Sequence, residues 1–219
     1  MSIALSLGNN LTTGGIFKPA AVNNTSVNNV TDFAGVTGGG TLVLLSTQTA
    51  SASASISFTT GINSTYDEYI FKFINIHGSS DGYQLAFQGS TDGGSNYNTT
   101  ITSTFFNSAH DEADTQAALS YAGGFDLAQG TSFQPITHFI GTDNDQSSSG
   151  ILHLFNPSSS TYVKHFIADT SDYYYNDYNT NNFVAGYFNT TSAINAVQFK
   201  MLSGNIDDGI IKMYGVAKS

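Results

Sequence analysis

From about residue 41 onward, apolar and polar positions alternate with a period of two in one short stretch after another. That period predicts strands rather than helices. The strongest stretch is 68–76, EYIFKFINI. Tyr69, Phe71 and Phe73 fall on one side and Ile70, Ile74 and Ile76 on the other, so both faces are expected to be covered and the strand to lie centrally. Tyr83, Leu85 and Phe87 alternate with Gln84, Ala86 and Gln88, which predicts a strand with one wet face. Further strands are predicted at 41–48, 52–58, 97–106, 133–141, 150–156, 162–168, 183–188, 193–201 and 209–216. In the last, Ile210, Lys212, Tyr214 and Val216 oppose Ile211, Met213 and Gly215. Turn chemistry separates these runs: Asp92-Gly93-Gly94 offers positive φ at little cost, and Pro157 stands before a run of serines. One short helix is predicted at 111–119, because Asp111, Glu112 and Asp114 would sit where a helix dipole favours acids. Many short strands at this spacing predict an all-β fold, a jelly-roll-like antiparallel β-sandwich.

Residues 1–40 follow a different pattern. Short apolar pieces (Ile3, Leu5 and Leu7, then Ile16 and Phe17) alternate with Gly- and Asn-rich spacers, and the stretch closes on Gly38-Gly39-Gly40. Such spacing suits lone extended segments and not a core. The expected organisation is therefore an extended N-terminal assembly arm over 1–40 and a sandwich domain over 41–219.

Composition strengthens the β assignment. Only 10% of the 219 residues are charged, against a usual value of about 25%. All six cations are lysine, and Asn, Ser, Thr, Gln and Gly carry the polar surface; these are poor helix formers. The net charge of -10 opposes nucleic acid and anionic membranes, so neither partner is expected. No run approaches the roughly 18 apolar residues of a membrane span, and no insertion is expected. With no cysteine the fold is indifferent to redox state. The start, Met1 to Leu5, has neither a basic region nor a long apolar run, so a secretion signal is not expected.

The candidate chemistry is sparse. His77, His110, His138, His153 and His165 form no metal-ligand spacing, though His138, His153 and His165 fall in predicted strands, which a sheet can bring together. The acids at 111–114, at Asp143 and Asp145, and at Asp207 and Asp208 read as solvated turns or a helix start. There is no Gly-x-Ser-x-Gly elbow and no phosphate-cradling glycine loop. The chain is expected to be no enzyme and to need no cofactor and no metal. The segment 172–182 stands apart as a predicted loop rich in tyrosine and asparagine. Tyr173, Tyr174, Tyr175, Asp177, Tyr178 and Asn181 suit either recognition or a subunit contact: tyrosine offers a flat surface with a hydroxyl, and Asn and Asp adaptable hydrogen bonds.

Four stretches carry a resemblance: LVLLSTQTASASASISFTTGINSTYDEYIFKFINIH, FQGSTDGGSNYNTT, GILHLFNPSSSTYVKHF and FVAGYFNTTSAINAVQFKMLSGNIDDGIIKMYGV. Together they resemble virion structural proteins, tail-fibre-like or surface jelly rolls, of tailed phages of aquatic bacteria. The resemblance implies a homo-oligomer, with a trimer in view, attached to other virion proteins through the arm. It implies folding in a host cytoplasm and exposure on the virion after lysis. The first expectation is a tail fibre or appendage component that touches host-surface glycan. The alternatives are a capsid decoration protein and, least favoured, a jelly-roll carbohydrate-active enzyme.

Overall fold

A computed structural model describes residues 42–217. The arm residues Ile3, Leu5, Leu7, Ile16 and Phe17 lie outside them. The expected jelly-roll-like antiparallel β-sandwich is present, with layers of unequal width. The strands are β1 (Leu42–Thr49), β2 (Ile56–Phe58), β3 (Glu68–Gly78), β4 (Leu85–Ser90), β5 (Ile101–Asp111), β6 (Ala117–Tyr121), β7 (Gln134–Pro135), β8 (Ser148–Phe155), β9 (Lys164–Tyr174), β10 (Tyr178–Phe188), β11 (Ala196–Met201) and β12 (Ile206–Val216). The large sheet has the order β1-β12-β3-β8-β9-β10-β5-β6, and the small one β2-β11-β4-β7. Every pairing is antiparallel.

The core fills the space between the sheets. Phe199 of β11 is its hub, with ring centroids 5.2 Å from Phe71 and from Phe73 of the large sheet, and 6.1 and 6.2 Å from Phe58 and Phe87 of its own sheet. The closing strand behaves as its alternation predicts: Ile211 and Met213 are buried, while Lys212 and Tyr214 keep partial exposure.

Several expectations are corrected. Strand β3 is covered on both faces only in its first half: Ile70 is 9% exposed, but Ile74 on the same face is 38% exposed. A bulge between Phe73 and Ile76, with Asn75 at φ 50°, turns Ile76 onto the core side beside Phe71 and Phe73. The glutamine side of β4 is dry. Gln88 is fully buried, and its amide donates to the carbonyls of Thr131 (3.2 Å) and Ser132 (2.9 Å), where a loop crosses it. Residues 111–119 form no helix. Strand β5 runs on to Asp111, and its carboxylate accepts from the backbone of Thr115 (2.9 Å) and Gln116 (2.8 Å) and from the Thr115 hydroxyl. These bonds build the turn that sends β6 back along β5. The stretch 133–141 keeps only β7 and the bridges of Ile140 to Tyr83 and Tyr174.

Candidate functional site

The Tyr- and Asn-rich segment is not a loop, as the sequence suggested, but the tip of a long hairpin. β9 and β10 pair without a break from Lys164↔Phe188 to Tyr174↔Tyr178. The connection is only Tyr175, Asn176 and Asp177. Asp177 takes φ 62°, and its N–H donates to the Tyr174 carbonyl (3.0 Å), the geometry of a three-residue loop closed by a left-handed residue. Asp adopts that conformation more readily than most non-glycine residues. Near the tip the hairpin's inner face is bonded to the 136–140 segment: Thr170 donates to the Ile136 carbonyl (2.7 Å), His138 N–H donates to Asp172 (2.6 Å), and Ile140 bridges to Tyr174.

Alternation along the two strands sorts the predicted residues. Tyr174 and Tyr178 point inward, while Tyr173 and Asn181 point outward. Tyr173 donates to Glu112 (2.9 Å), and that bond raises its phenol to about 12. Asn181 donates to Asp169 (2.7 Å). Tyr175, at the tip, packs on Tyr174 with centroids 4.5 Å apart. The segment is thus split between two sides of the sheet and does not act as one surface.

On the inner side lies a cavity of about 380 Å³, lined among others by Asn107, Gln116, His138, Tyr174, Tyr178 and Thr180. Its aromatic wall continues a ladder of rings out of the core. Phe125 stands 5.2 Å from Phe105, His138 5.0 Å from Phe125, Tyr174 5.2 Å from His138, and Tyr178 5.6 Å from Tyr174. The polar wall is incomplete. Thr180 is 2% exposed and its Oγ1 has no hydrogen-bond partner, and neither has Nδ1 of His138. A buried hydroxyl left unpaired costs about 1–3 kcal/mol, so its persistence at a cavity wall marks a place where a ligand atom would be welcome.

Behind this wall Asp172 ties the hairpin down. It accepts from the His138 backbone (2.6 Å), the Ser148 hydroxyl (2.5 Å) and the Asn182 amide (2.5 Å). Burial nevertheless pushes its carboxyl up to about 6, and burial pushes the imidazole of His138 down to about 4.

Compared with protein-family models, curated proteins and solved structures, the chain matches none.

A second, outer cleft of about 480 Å³ holds His110, Asp111, Glu112, Asp145 and Tyr173. Among the described residues no group of three or more His, Cys, Asp and Glu side chains is placed to hold a metal ion. The three strand histidines do not meet: His153 bonds Glu68 (2.5 Å), His165 faces Tyr187 (5.9 Å) and His138 sits in the ring ladder. Sequence reasoning missed Asn107, Gln116 and His138 as neighbours of the tyrosines, while Thr180 lay inside the segment it singled out. No local signal links them, since pairing of β10 with β5 and the fold of the 122–140 loop bring them together.

Proposed function

We propose that the chain is a non-catalytic virion structural protein of a tailed phage, a tail fibre or appendage component displayed on the particle. Its contact with host-surface glycan would be made through the cavity under the hairpin tip. The observation that carries this reading is the pairing of an aromatic wall, Tyr174 and Tyr178, with the unpartnered Thr180 hydroxyl and the amides of Asn107 and Gln116. A pyranose ring presents an apolar C–H face to such a wall and hydroxyls to such amides. Preorganisation by the unbroken hairpin reduces the ordering cost of binding. The resemblance in the sequence, the sparse charge and the absence of cysteine agree with a particle component that works outside a cell. Against catalysis, the most deeply buried carboxylate among the described residues, Asp172, is already held by three donors.

The test is twofold. Antibody labelling of particles is expected to decorate a tail appendage, and an array of host-surface polysaccharides is expected to show binding. Tyr178→Ala should weaken that binding about tenfold through loss of the stacking surface. Thr180→Val should weaken it without lowering stability, because it removes a hydroxyl that has no partner in the free protein. Label on the capsid shell favours the decoration protein. The exposed apolar edge strand β1, with Leu42, Val43 and Leu44 reaching solvent, supports that second reading. Absence of label on the particle together with no glycan bound sinks both.

A further inference from the structure

The small sheet covers one face of the large sheet, and no element of residues 42–217 forms a layer over the other. Strand register lays out the rows of that outer face. One row runs Tyr214, Ile70, His153, Ile167, Ala185 across β12, β3, β8, β9 and β10. The next runs Lys212, Lys72, Ile151, Asp169, Phe183 across the same strands. On the other side of the first row stand Glu68 on β3 and His165 on β9. The face mixes apolar and charged side chains: Ile167 is 50% exposed, Ile74 38% and Phe183 37%, with Phe106 stacked on Phe183 at 5.1 Å, while Ile70 is 9% exposed. Exposed apolar side chains rimmed by polar and charged ones mark contact sites.

We propose that this face binds a second copy of the chain, sheet to sheet, about a two-fold axis running along β8. Such an axis keeps every row and exchanges β3 with β9 of the second copy, and β12 with β10. Each copy then offers what the other lacks. Lys72 meets Asp169 of the second copy, and Glu68, already bonded to His153, gains its His165. Ile167 of the second copy covers the strip above Ile70, which is itself 9% exposed. The Tyr214 ring meets a depression of about 440 Å³ over Ala185 and Gly186, whose small size leaves it unfilled between Ile167 and Tyr187. Two-fold contacts are self-complementary by construction, and a face with cations on one side of its midline and an acid on the other satisfies that demand.

The occupant follows from charge. The chain carries a net -10, which repels another copy across most of its surface. Of the four lysines among the described residues, Lys164 is buried and Lys200 lies over Phe133, on the side of the small sheet. Lys72 and Lys212 both stand on this outer face, and no carboxylate of the described residues lies within salt-bridge distance of either. They balance Glu68 and Asp169 within these rows, so the repulsion between two acidic copies is least here. An axis along β8 sets the central strands of the two copies parallel, and aligned sheets pack about 10 Å apart, a gap that facing side chains fill.

The experiment is sedimentation of the full chain and two charge variants. Wild type is expected to be a dimer at roughly 100 µM, well above the micromolar limit of a standard-size interface. Lys72→Asp and Asp169→Lys should each weaken self-association at least about tenfold, since symmetry places two like-charge contacts in each homodimer. An equimolar mixture of the two should recover the dimer, because both contacts are then opposite in sign. Ala185→Trp, which fills the depression, should abolish it. Unchanged thermal unfolding of the monomeric variants guards against misfolding. A monomeric wild type leaves the face to another occupant and overturns the proposal. So does a trimer, or a mixture that stays monomeric. None of these outcomes bears on glycan binding under the hairpin tip.

Discussion

Asp172 and His138 touch through a backbone hydrogen bond and shift in opposite directions for the same reason, burial of the charged form. Asp172 rises from 3.8 to about 6, so between those values the folded chain keeps a proton that the unfolded chain has released. Its contribution to stability is greatest below pH 4 and declines as pH rises to 6. His138 falls from 6.5 to about 4, so the unfolded chain takes a proton that the folded one refuses. Its contribution is greatest above 6.5 and declines as pH falls to 4. The slopes oppose, and the wild type should show little change in unfolding free energy between about pH 4 and 6. Asp172→Asn should unmask a rise with pH on the order of 1–2 kcal/mol, reduced because the imidazole keeps some solvent. His138→Gln should unmask a fall of about 3 kcal/mol over the same window. Urea unfolding at a series of pH values checks both, and parallel slopes in the two variants would refute the assignment.

At the scale of elements, the β8–β9 contact depends on a residue without a side chain. A Cβ on Gly150 would lie 2.4 Å from the Asp169 carbonyl oxygen and 2.7 Å from Thr170 Cα, both backbone. Neither can swing aside. Gly150→Ala should cost about 1–3 kcal/mol and loosen the pairing that brings Ser148 against Asp172. Faster amide exchange in β9 is the expected readout, and wild-type protection would show that the strands separate without strain. The mechanism differs at the β5–β6 connection. There the acids that suggested a helix start serve a turn, because Asp111 spends its oxygens on the Thr115 and Gln116 backbone. Those bonds keep its carboxyl below the usual range, led by the Thr115 hydroxyl.

For the whole molecule, the two layers are joined chiefly by aromatic packing around Phe199. Its ring meets two phenylalanines of each sheet edge to face, tilted or stacked, arrangements that each add about 0.5–1.5 kcal/mol beyond burial. Phe199→Ala should cost about 3–5 kcal/mol, a large part of the roughly 5–15 kcal/mol that holds a domain folded. A lower urea midpoint at unchanged m is the expected result. A loss under about 1 kcal/mol would mean that the sheets are held together elsewhere. Surface charge contributes little by comparison, since the ion pairs of the described residues all involve histidine, at His77, His110 and His153.

The sequence by itself determined the class of the fold, because a period of two and turn-forming punctuation are local properties that strands and turns inherit directly. It determined the faces of Ile210 to Val216, where pairing with β3 is regular, but not the start of that strand at Ile206 beyond two register shifts. It also marked the tyrosines of 173–178 as unusual. Only the tertiary structure decided which face each position serves. The Asn75 bulge moved Ile76 to the core, the 131–133 loop dried the glutamine side of β4, and the 136–140 segment came to lie under the hairpin tip. Periodicity reports that a residue faces one side. Whether that side meets a second sheet, a loop, an open cavity or solvent depends on partners remote in the chain, as Thr180 and Asn107 depend on the β5–β10 register.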